Sequence, residues 1–165
     1  MLHGGWKLIK SKKKMKLICF CAKSIVSLKR IVYKGGVMPA GVTIMIVDDS
    51  RIMRNTVKGV FSGVDSPCNF IEAKDGEEAL ALLDTQTVDL ILLDWNMPRL
   101  SGIDFLKQIR AMEQYKDLPI IMVTSEAAKF NVIEALKHGA TDYITKPIKL
   151  DLFKQKLAKL RLFRI

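Results

Sequence analysis

The feature that most constrains the fold is a fivefold alternation that begins at Val42. Short apolar runs alternate with longer segments in which apolar residues recur at the spacing of a helix face. A continuous run of β-branched and other apolar residues at this length is typical of a strand that is buried on both faces. The alternation predicts five strands, at Val42–Val47, Asn69–Ala73, Val88–Leu93, Pro119–Val123 and Asp142–Thr145.

Five strand–helix units in about 120 residues require a parallel sheet with right-handed crossovers and helices on both faces. The predicted fold class is therefore α/β, a flavodoxin-like (βα)5 doubly wound parallel sheet with strand order 2-1-3-4-5. The third strand is the most hydrophobic and is expected at the centre. Ser101 is expected to cap the third helix, and Gly139 to follow the end of the fourth. The last helix is predicted from Lys149 to about Phe163, with Leu150 facing inward.

The net charge of +10 is concentrated at the N-terminus. Residues 1–40 contain ten Lys or Arg and no acidic residue, whereas the other 125 residues contain 17 basic and 17 acidic residues. The main domain therefore lacks the basic surface that nucleic-acid binding needs, and no nucleic-acid partner is expected for it.

Residues 1–38 are interpreted as a basic leader that is disordered or not native, and residues 39–165 as the domain. A misplaced start, with Met38 or Met45 as the natural beginning, is the first explanation of this Lys-rich stretch. A basic arm that contacts an anionic partner or a membrane surface is the second. A disordered or artificial extension is the third.

Hydrophobicity and cysteine content indicate where in the cell the protein is expected. No apolar run approaches the roughly 20 residues that a membrane-spanning helix needs, so no membrane span is expected. The three cysteines, Cys19, Cys21 and Cys68, fit reduced thiols better than a disulfide framework. The chain is therefore predicted to be cytoplasmic.

Residues that can carry chemistry follow the ends of the predicted strands. Asp48 and Asp49 follow the first strand, and Asp94 follows the third. Thr124 ends the fourth strand, and Lys146 follows the fifth. Because ligands bind at the carboxyl ends of the strands in open α/β sheets, these side chains are expected at one edge of the sheet.

Three carboxylates in one cleft repel one another unless a cation lies among them. Carboxylates with a backbone carbonyl near Asn96 would suit Mg²⁺, which prefers oxygen ligands and keeps several waters. An Asp in such a site is a candidate nucleophile that forms an aspartyl-phosphate. Structural alternatives exist for single residues, because Asp49 could cap the first helix and Thr124 the fourth.

Four segments resemble the signature of response-regulator receiver domains, in order and spacing: Val47–Ser50, Asp94–Gly102, Val123–Glu126 and Gly139–Pro147. The resemblance covers roughly residues 42–162. It implies that a histidine kinase phosphorylates Asp94. It also implies that Mg²⁺ is bound by Asp48, Asp49, Asp94 and the carbonyl of Asn96.

The same resemblance assigns roles outside the metal site. Lys146 would pair with the phosphoryl group and would be joined to Pro147 by a cis peptide bond. Thr124 would hydrogen-bond the phosphate, and Tyr143 would turn inward with it. The face formed by the fourth helix, fifth strand and fifth helix, with Tyr143 and Glu126, would be the output surface.

Within the family, the run Asp94–Pro98, Glu126 two residues after Thr124, and the lack of an output domain resemble the chemotaxis regulators. This resemblance implies that the target is the flagellar motor switch protein. The alternative is a phosphorelay intermediate that passes phosphate to a histidine phosphotransfer protein. A dehalogenase-type phosphatase is disfavoured, because its acid/base Asp would stand where this chain has Asn96. The chain is expected to be a monomeric phosphoacceptor switch rather than an enzyme.

Overall fold

The structure is a computed structural model. It describes the backbone of residues 6–11, 14–19, 30–33, 36–39 and 41–163, and the side chains of residues 41–163. The chain divides into two compact units, Met1–Ala40 and Gly41–Ile165.

The N-terminal unit contains two antiparallel strand pairs among its described residues. Trp6–Ser11 pairs with Lys14–Cys19, and Arg30–Tyr33 pairs with Gly36–Pro39. The rest of the predicted leader, including Cys21, lies outside the described residues. The interpretation of residues 1–38 as a leader that is not native stays a prediction.

The second unit contains five strands and five α-helices in strict alternation. The strands are β1 (Val42–Val47), β2 (Cys68–Ala73), β3 (Leu90–Leu93), β4 (Ile120–Thr124) and β5 (Asp142–Thr145). The helices are α1 (Arg51–Val60), α2 (Gly76–Leu83), α3 (Gly102–Ala111), α4 (Lys129–Lys137) and α5 (Leu150–Lys159). Short 3-10 turns at Phe61–Gly63 and Glu113–Tyr115 follow α1 and α3.

All five strands form one parallel sheet in the order β2-β1-β3-β4-β5. The predicted fold class and strand order are confirmed. The central strand, β3, is buried at all four positions, as its apolar composition predicted. Because β1 and β3 are neighbours, Val47 lies opposite Leu93, and the residues that follow both strands emerge side by side.

The sheet carries a hydrophobic core on each face, because successive strand residues point to opposite sides. On one face Ile44 and Ile46 pack with buried residues of α1 and α5, namely Val57, Phe153 and Leu157. On the other face Met45 and Val47 pack with α2, α3 and α4, through residues that include Ala79, Leu83, Phe105, Ile109 and Ala135. The loops at the carboxyl edge therefore stand on a rigid, two-sided scaffold.

Helix ends follow the predicted signals in most places. Ser101 caps α3 by accepting the Asp104 N–H at 3.3 Å, and Gly139 adopts a left-handed conformation with φ of 94° just after α4. The predicted extent of α5 is wrong, because the helix ends at Lys159 and Arg161 is left-handed with φ of 54°. The inward position predicted for Leu150 is also wrong, since this side chain is 48% exposed.

Across the described part of the chain, every helix is too short or too polar to cross a membrane.

Candidate functional site

The five residues predicted to carry chemistry meet at the carboxyl edge of the sheet. Asp48 and Asp94 directly follow β1 and β3, and their neighbourhood is fixed by a hydrogen bond from the Asp94 N–H to the Val47 carbonyl at 2.8 Å. Thr124 is the last residue of β4 and is fully buried. Lys146 follows β5, and its N–H donates to the Thr124 carbonyl at 2.9 Å.

Lys146 joins the two buried carboxylates of the site. Its Nζ lies 2.7 Å from Asp48 Oδ2 and 3.1 Å from Asp94 Oδ1. The Lys146 side chain is only 12% exposed. Its peptide bond to Pro147 is cis, as the resemblance implied. The ammonium is therefore held between two strand ends that are far apart in the sequence.

Asp48, Asp49 and Asp94 form a cluster that could hold a metal ion. One carboxylate oxygen from each lies within 4.8 Å of the others. Asp48 and Asp94 are buried, whereas Asp49 is exposed and opens the cluster to solvent. Oxygen ligands on one side and solvent on the other fit a cation that keeps part of its water shell. The residues present therefore fit the predicted divalent metal.

Burial and neighbouring charges shift the pKa values of Asp94 and Lys146. Burial raises the pKa of Asp94 above its ordinary value, and the charge of Asp48 adds to this. Lys146 and a hydrogen bond with Thr124 act in the opposite direction. For Lys146, burial opposes the charged form, but the carboxylates of Asp48 and Asp94 outweigh it and raise its pKa. Lys146 is therefore a cation throughout the physiological range, next to an excess of negative charge.

Glu126 connects the site to the neighbouring elements. Its N–H donates to Thr124 Oγ1 at 3.2 Å, and its carbonyl accepts the hydroxyl of Tyr143. Its carboxylate accepts Asn96 Nδ2 at 2.8 Å and Asn131 Nδ2 at 2.9 Å. One residue therefore contacts β4, β5, the loop after β3 and the first turn of α4.

Tyr143 and Glu126 differ in exposure within the predicted output surface. Tyr143 is 7% exposed, so in this structure its ring faces inward. Burial raises the pKa of Tyr143 to about 12, with smaller contributions from the charges of Glu126 and Asp94. Glu126 is half-buried, and Asn96 is exposed.

The structural alternatives for two of the site residues are wrong. The residue that caps α1 is Ser50, whose hydroxyl accepts the Met53 N–H at 3.4 Å, and not Asp49. The helix after β4 begins at Lys129 with Ala128 at its N-cap, so Thr124 does not cap it. Neither residue is used as a helix cap, so both side chains are available to the site at the carboxyl edge.

Sequence reasoning did not identify the basic residues that hold the loops. Arg54 donates to the carbonyls of Asp48 and Asp49, and Arg99 forms an ion pair with the fully buried Asp75. The residues next to Arg54 and Arg99 in the sequence do not indicate which groups these two side chains contact. These contacts depend on the packing of separate strands and loops.

Comparison with known proteins adds independent information. A family model described as "Response regulator receiver domain" matches residues 44–158. The chain is 40% identical over 117 residues to "Chemotaxis protein CheY" of Pseudomonas aeruginosa, covering 71% of this chain and 94% of that protein.

Solved structures that are similar to this chain include two regulators. Chemotaxis protein CheY4 of Vibrio cholerae is 33% identical, with a TM-score of 0.66 over 73% of this chain and 99% of that chain. The Mn²⁺-bound form of response regulator Rcp1 is 29% identical, with a TM-score of 0.62 over 71% of this chain and 90% of that chain. The matched region coincides with the unit that carries the Asp48–Asp94–Lys146 cluster.

Proposed function

The chain belongs to the response regulator receiver domain family, and from this premise we propose that it is a chemotaxis switch that binds the flagellar motor switch protein when phosphorylated on Asp94. Receiver domains act in two-component signalling, as phosphoacceptor switches rather than as turnover enzymes. The phosphoryl donor proposed here is a histidine kinase.

The position of the Asp94 carboxylate carries the proposal. It is 7% exposed, lies 3.1 Å from Lys146 Nζ and shares a cluster with two further carboxylates. A carboxylate oxygen would attack the phosphorus of the kinase phosphohistidine, forming a P–O bond as the P–N bond breaks and the imidazole leaves with the electron pair. Lys146, already held by Asp48, is placed to neutralise the transferred phosphoryl oxygens.

Mg²⁺ is the proposed metal, with Asp48, Asp49, Asp94 and the Asn96 carbonyl as its protein ligands. Bound there, it would neutralise the charge of the transferred group. The exposed position of Asp49 leaves room for water ligands. The Mn²⁺-bound form of the similar regulator Rcp1 supports a divalent cation in a site of this family.

Thr124 and Tyr143 are the proposed switch residues, and both bind the backbone of Glu126. Thr124 Oγ1 accepts the N–H of Glu126, while the Tyr143 hydroxyl donates to the Glu126 carbonyl. A phosphoryl group that recruits the Thr124 hydroxyl would shift the backbone of Glu126 and, with it, the hydrogen bond of Tyr143. Phosphorylation would thereby change the relative populations of two conformations of this region.

The proposed output surface is the face of α4, β5 and α5. The α4 helix exposes three large apolar side chains, with Phe130 72%, Ile133 42% and Leu136 46% exposed. Contiguous exposed apolar side chains are typical of a protein-binding surface. The named chemotaxis relatives support the motor switch as the target.

Binding of a labelled peptide from a flagellar motor switch protein tests the proposal. The full chain would carry Trp6→Phe, so that Trp95, next to the acceptor, is the sole tryptophan. Mg²⁺ and beryllofluoride, a mimic of the acyl phosphate, should change Trp95 fluorescence and tighten peptide binding. Both effects should be lost in Asp94→Ala.

The other outcomes separate the alternatives. A Trp95 response without peptide binding would overturn the motor-switch assignment and favour the phosphorelay. In that case phosphate should pass from Asp94 to a histidine phosphotransfer protein. A folded chain that shows no Trp95 response to Mg²⁺ and beryllofluoride would contradict the proposed phosphoacceptor role itself.

A further inference from the structure

Arg54, in the second turn of α1, contacts the loop that carries two of the proposed metal ligands. Its Nη1 lies 2.8 Å from the Asp48 carbonyl oxygen and 3.3 Å from the Asp49 carbonyl oxygen. The side chain is only 14% exposed. One guanidinium nitrogen therefore bridges the two successive carbonyls that follow β1.

The far side of the same guanidinium is held by the neighbouring strand. Arg54 Nε lies 2.7 Å from Glu72 Oε2, on β2. Hydrogen bonds from Lys58 and Arg54 lower the pKa of Glu72, so its carboxylate stays charged to well below neutral pH. Arg54 is thus fixed at both ends, and its planar fork ties the β1–α1 loop to the edge strand of the sheet.

Lys58 offers a natural comparison within the same ion-pair group. It lies one turn further along α1 and contacts the other oxygen of Glu72. Among the hydrogen bonds of the described residues, Lys58 makes none with the Asp48 or Asp49 carbonyl. Both residues place a positive charge on Glu72, but only Arg54 extends to the loop.

We propose that Arg54 is a positioning residue of the metal site, which fixes the backbone of Asp48 and Asp49 so that their carboxylates converge with that of Asp94. This inference rests on the proposed function, because it assumes a metal among these carboxylates. Orientation by groups behind the ligands is a general determinant of metal affinity. Substitution of Arg54 leaves all three carboxylates in the sequence. It frees the β1–α1 loop, however, whose backbone orients the carboxylates of Asp48 and Asp49.

A Mg²⁺ titration followed by Trp95 fluorescence tests the inference in the full chain carrying Trp6→Phe. Arg54→Gln is expected to raise the dissociation constant for Mg²⁺ about tenfold, the lower end for the loss of a group that orients metal ligands from behind. Lys58→Gln deletes the same charge from the same Glu72 and should change the dissociation constant by less than about twofold, because Lys58 makes no described contact with the loop and its charge, at a side chain 29% exposed, is partly screened by salt. Urea unfolding of both variants compares their stability.

In Arg54→Gln, the loss of a positive charge and the loss of loop positioning should change the affinity for Mg²⁺ in opposite directions. Loss of a nearby positive charge alone would tighten Mg²⁺ binding, so weaker binding in Arg54→Gln identifies the positional effect. Arg54→Lys, which keeps the charge but loses the planar fork, should restore only part of the affinity. Glu72→Gln removes the anchor behind Arg54 and should give an intermediate loss, to which the lost negative charge also contributes, so Arg54→Lys is the charge-matched variant.

The results separate this inference from the proposed function. If the chain without these substitutions binds no Mg²⁺, the proposed function fails first. If it binds Mg²⁺ and Arg54→Gln binds equally well or more tightly, the positioning role is overturned. If Arg54→Gln does not fold, Arg54→Lys and Glu72→Gln decide, and unchanged affinity in both would reject the inference.

Discussion

Asp75 and Asp94 are both buried carboxylates near the carboxyl end of a strand, yet their surroundings differ. Asp75 follows β2 by two residues and is 0% exposed, and Asp94 follows β3 directly and is 7% exposed. Burial and strand position therefore do not explain why the two carboxylates differ. The difference comes from the groups that surround each carboxylate.

Each oxygen of Asp75 has a dedicated partner. Oδ1 accepts the Glu78 N–H at 2.9 Å and caps α2, where the helix dipole also favours a negative charge. Oδ2 forms an ion pair with Arg99 and accepts from no other donor among the described residues. Arg99 is left-handed, with φ of 62°, in the loop between β3 and α3. Asp75 therefore joins α2 to that loop and has a structural role.

Asp94 lies in a group whose charges do not balance. It shares the ammonium of Lys146 with Asp48, and Asp49 adds a third carboxylate to the cluster. Two of these three carboxylates are buried and share one cation, whereas the second carboxylate on Arg99, that of Glu77, is 63% exposed. The comparison teaches that surplus buried charge, more than burial of a single carboxylate, separates a reactive carboxylate from a structural one.

The largest effect that tests this comparison is expected for Arg99→Ala. It should lower the free energy of unfolding by about 3 kcal/mol, the lower end for a broken buried pair, because Arg99 is itself half exposed. Urea denaturation would measure this loss. The response of Trp95 to Mg²⁺ and beryllofluoride should persist, because Arg99 makes no described contact with the Asp94 cluster.

Glu77→Gln is the matched control for that variant. Glu77 also pairs with Arg99, at 3.3 Å, but its side chain is 63% exposed. Its loss should cost less than about 1 kcal/mol. If Arg99→Ala retains a stable fold but loses the Trp95 response, the assignment of a structural role to Asp75 and a reactive role to Asp94 would be wrong.

Asp94→Asn should have a smaller effect on stability and the opposite sign. Because burial raises the pKa of Asp94, its ionised form opposes folding at neutral pH. The stability that the protonated group contributes is complete below the unfolded-state pKa and is lost as pH rises through the folded-state pKa. The variant should therefore gain about 1 kcal/mol at pH 7, and the gain should shrink as pH falls.

Urea midpoints of the unsubstituted chain and Asp94→Asn, measured from neutral to acidic pH, check this sign. Asp75→Asn supplies the contrast, because Asn can still cap α2 but loses the ion pair with Arg99. That variant should be destabilised at neutral pH. A loss of stability in Asp94→Asn at pH 7 would show that this carboxylate, too, is mainly structural.

The smallest expected effect concerns Tyr143. Burial holds its pKa at about 12, and the charge of Asp94 contributes least among the causes. Asp94→Asn should therefore lower that pKa slightly, whereas Asp75→Asn should not change it. Ultraviolet absorbance of the phenolate would follow the titration, with Tyr143→Phe identifying its signal.

Tyr143 also predicts a loss of stability in alkali. Its folded-state pKa of about 12 lies above the ordinary tyrosine value of 10.0, so the unfolded chain releases this proton first. Stability should fall as pH rises through this window, and the fall should be shallower in Tyr143→Phe. Tyr115→Phe, which loses a hydrogen bond to the Leu83 carbonyl at 2.9 Å, is the control. Equal slopes in both variants would contradict the assignment.

Most of the fold could be predicted from local patterns. The bounds of β1 and β5 match the predicted ones, whereas β3 begins at Leu90 rather than Val88. Strand ends are set by pairing with neighbours, so a run of apolar residues locates a strand but not its limits. The stretch after Lys159 retains apolar residues, yet a left-handed Arg161 ends α5 before them.

The fold was predicted from local hydrophobic patterns, whereas the candidate site was predicted from the topology of the sheet. Parallel strands with right-handed crossovers bring their carboxyl ends to one edge, so residues that follow the strands must converge there. This geometry places Asp48, Asp94 and Thr124 together without any knowledge of side-chain contacts. It does not reveal Arg54 or Arg99, which lie on a helix and in a loop and reach their partners through side-chain packing.

The sequence by itself therefore determined the order of the elements, the strand order and the edge where chemistry occurs, because hydrophobic periodicity and chain connectivity leave few alternatives. Tertiary structure decided which charges meet. Lys146 lies 98 residues from Asp48 and Arg54 lies 18 from Glu72, yet each pair is joined at 2.7 Å. Contacts of a few ångströms depend on the packing of helices on the sheet and on side-chain rotamers, and no local pattern encodes them.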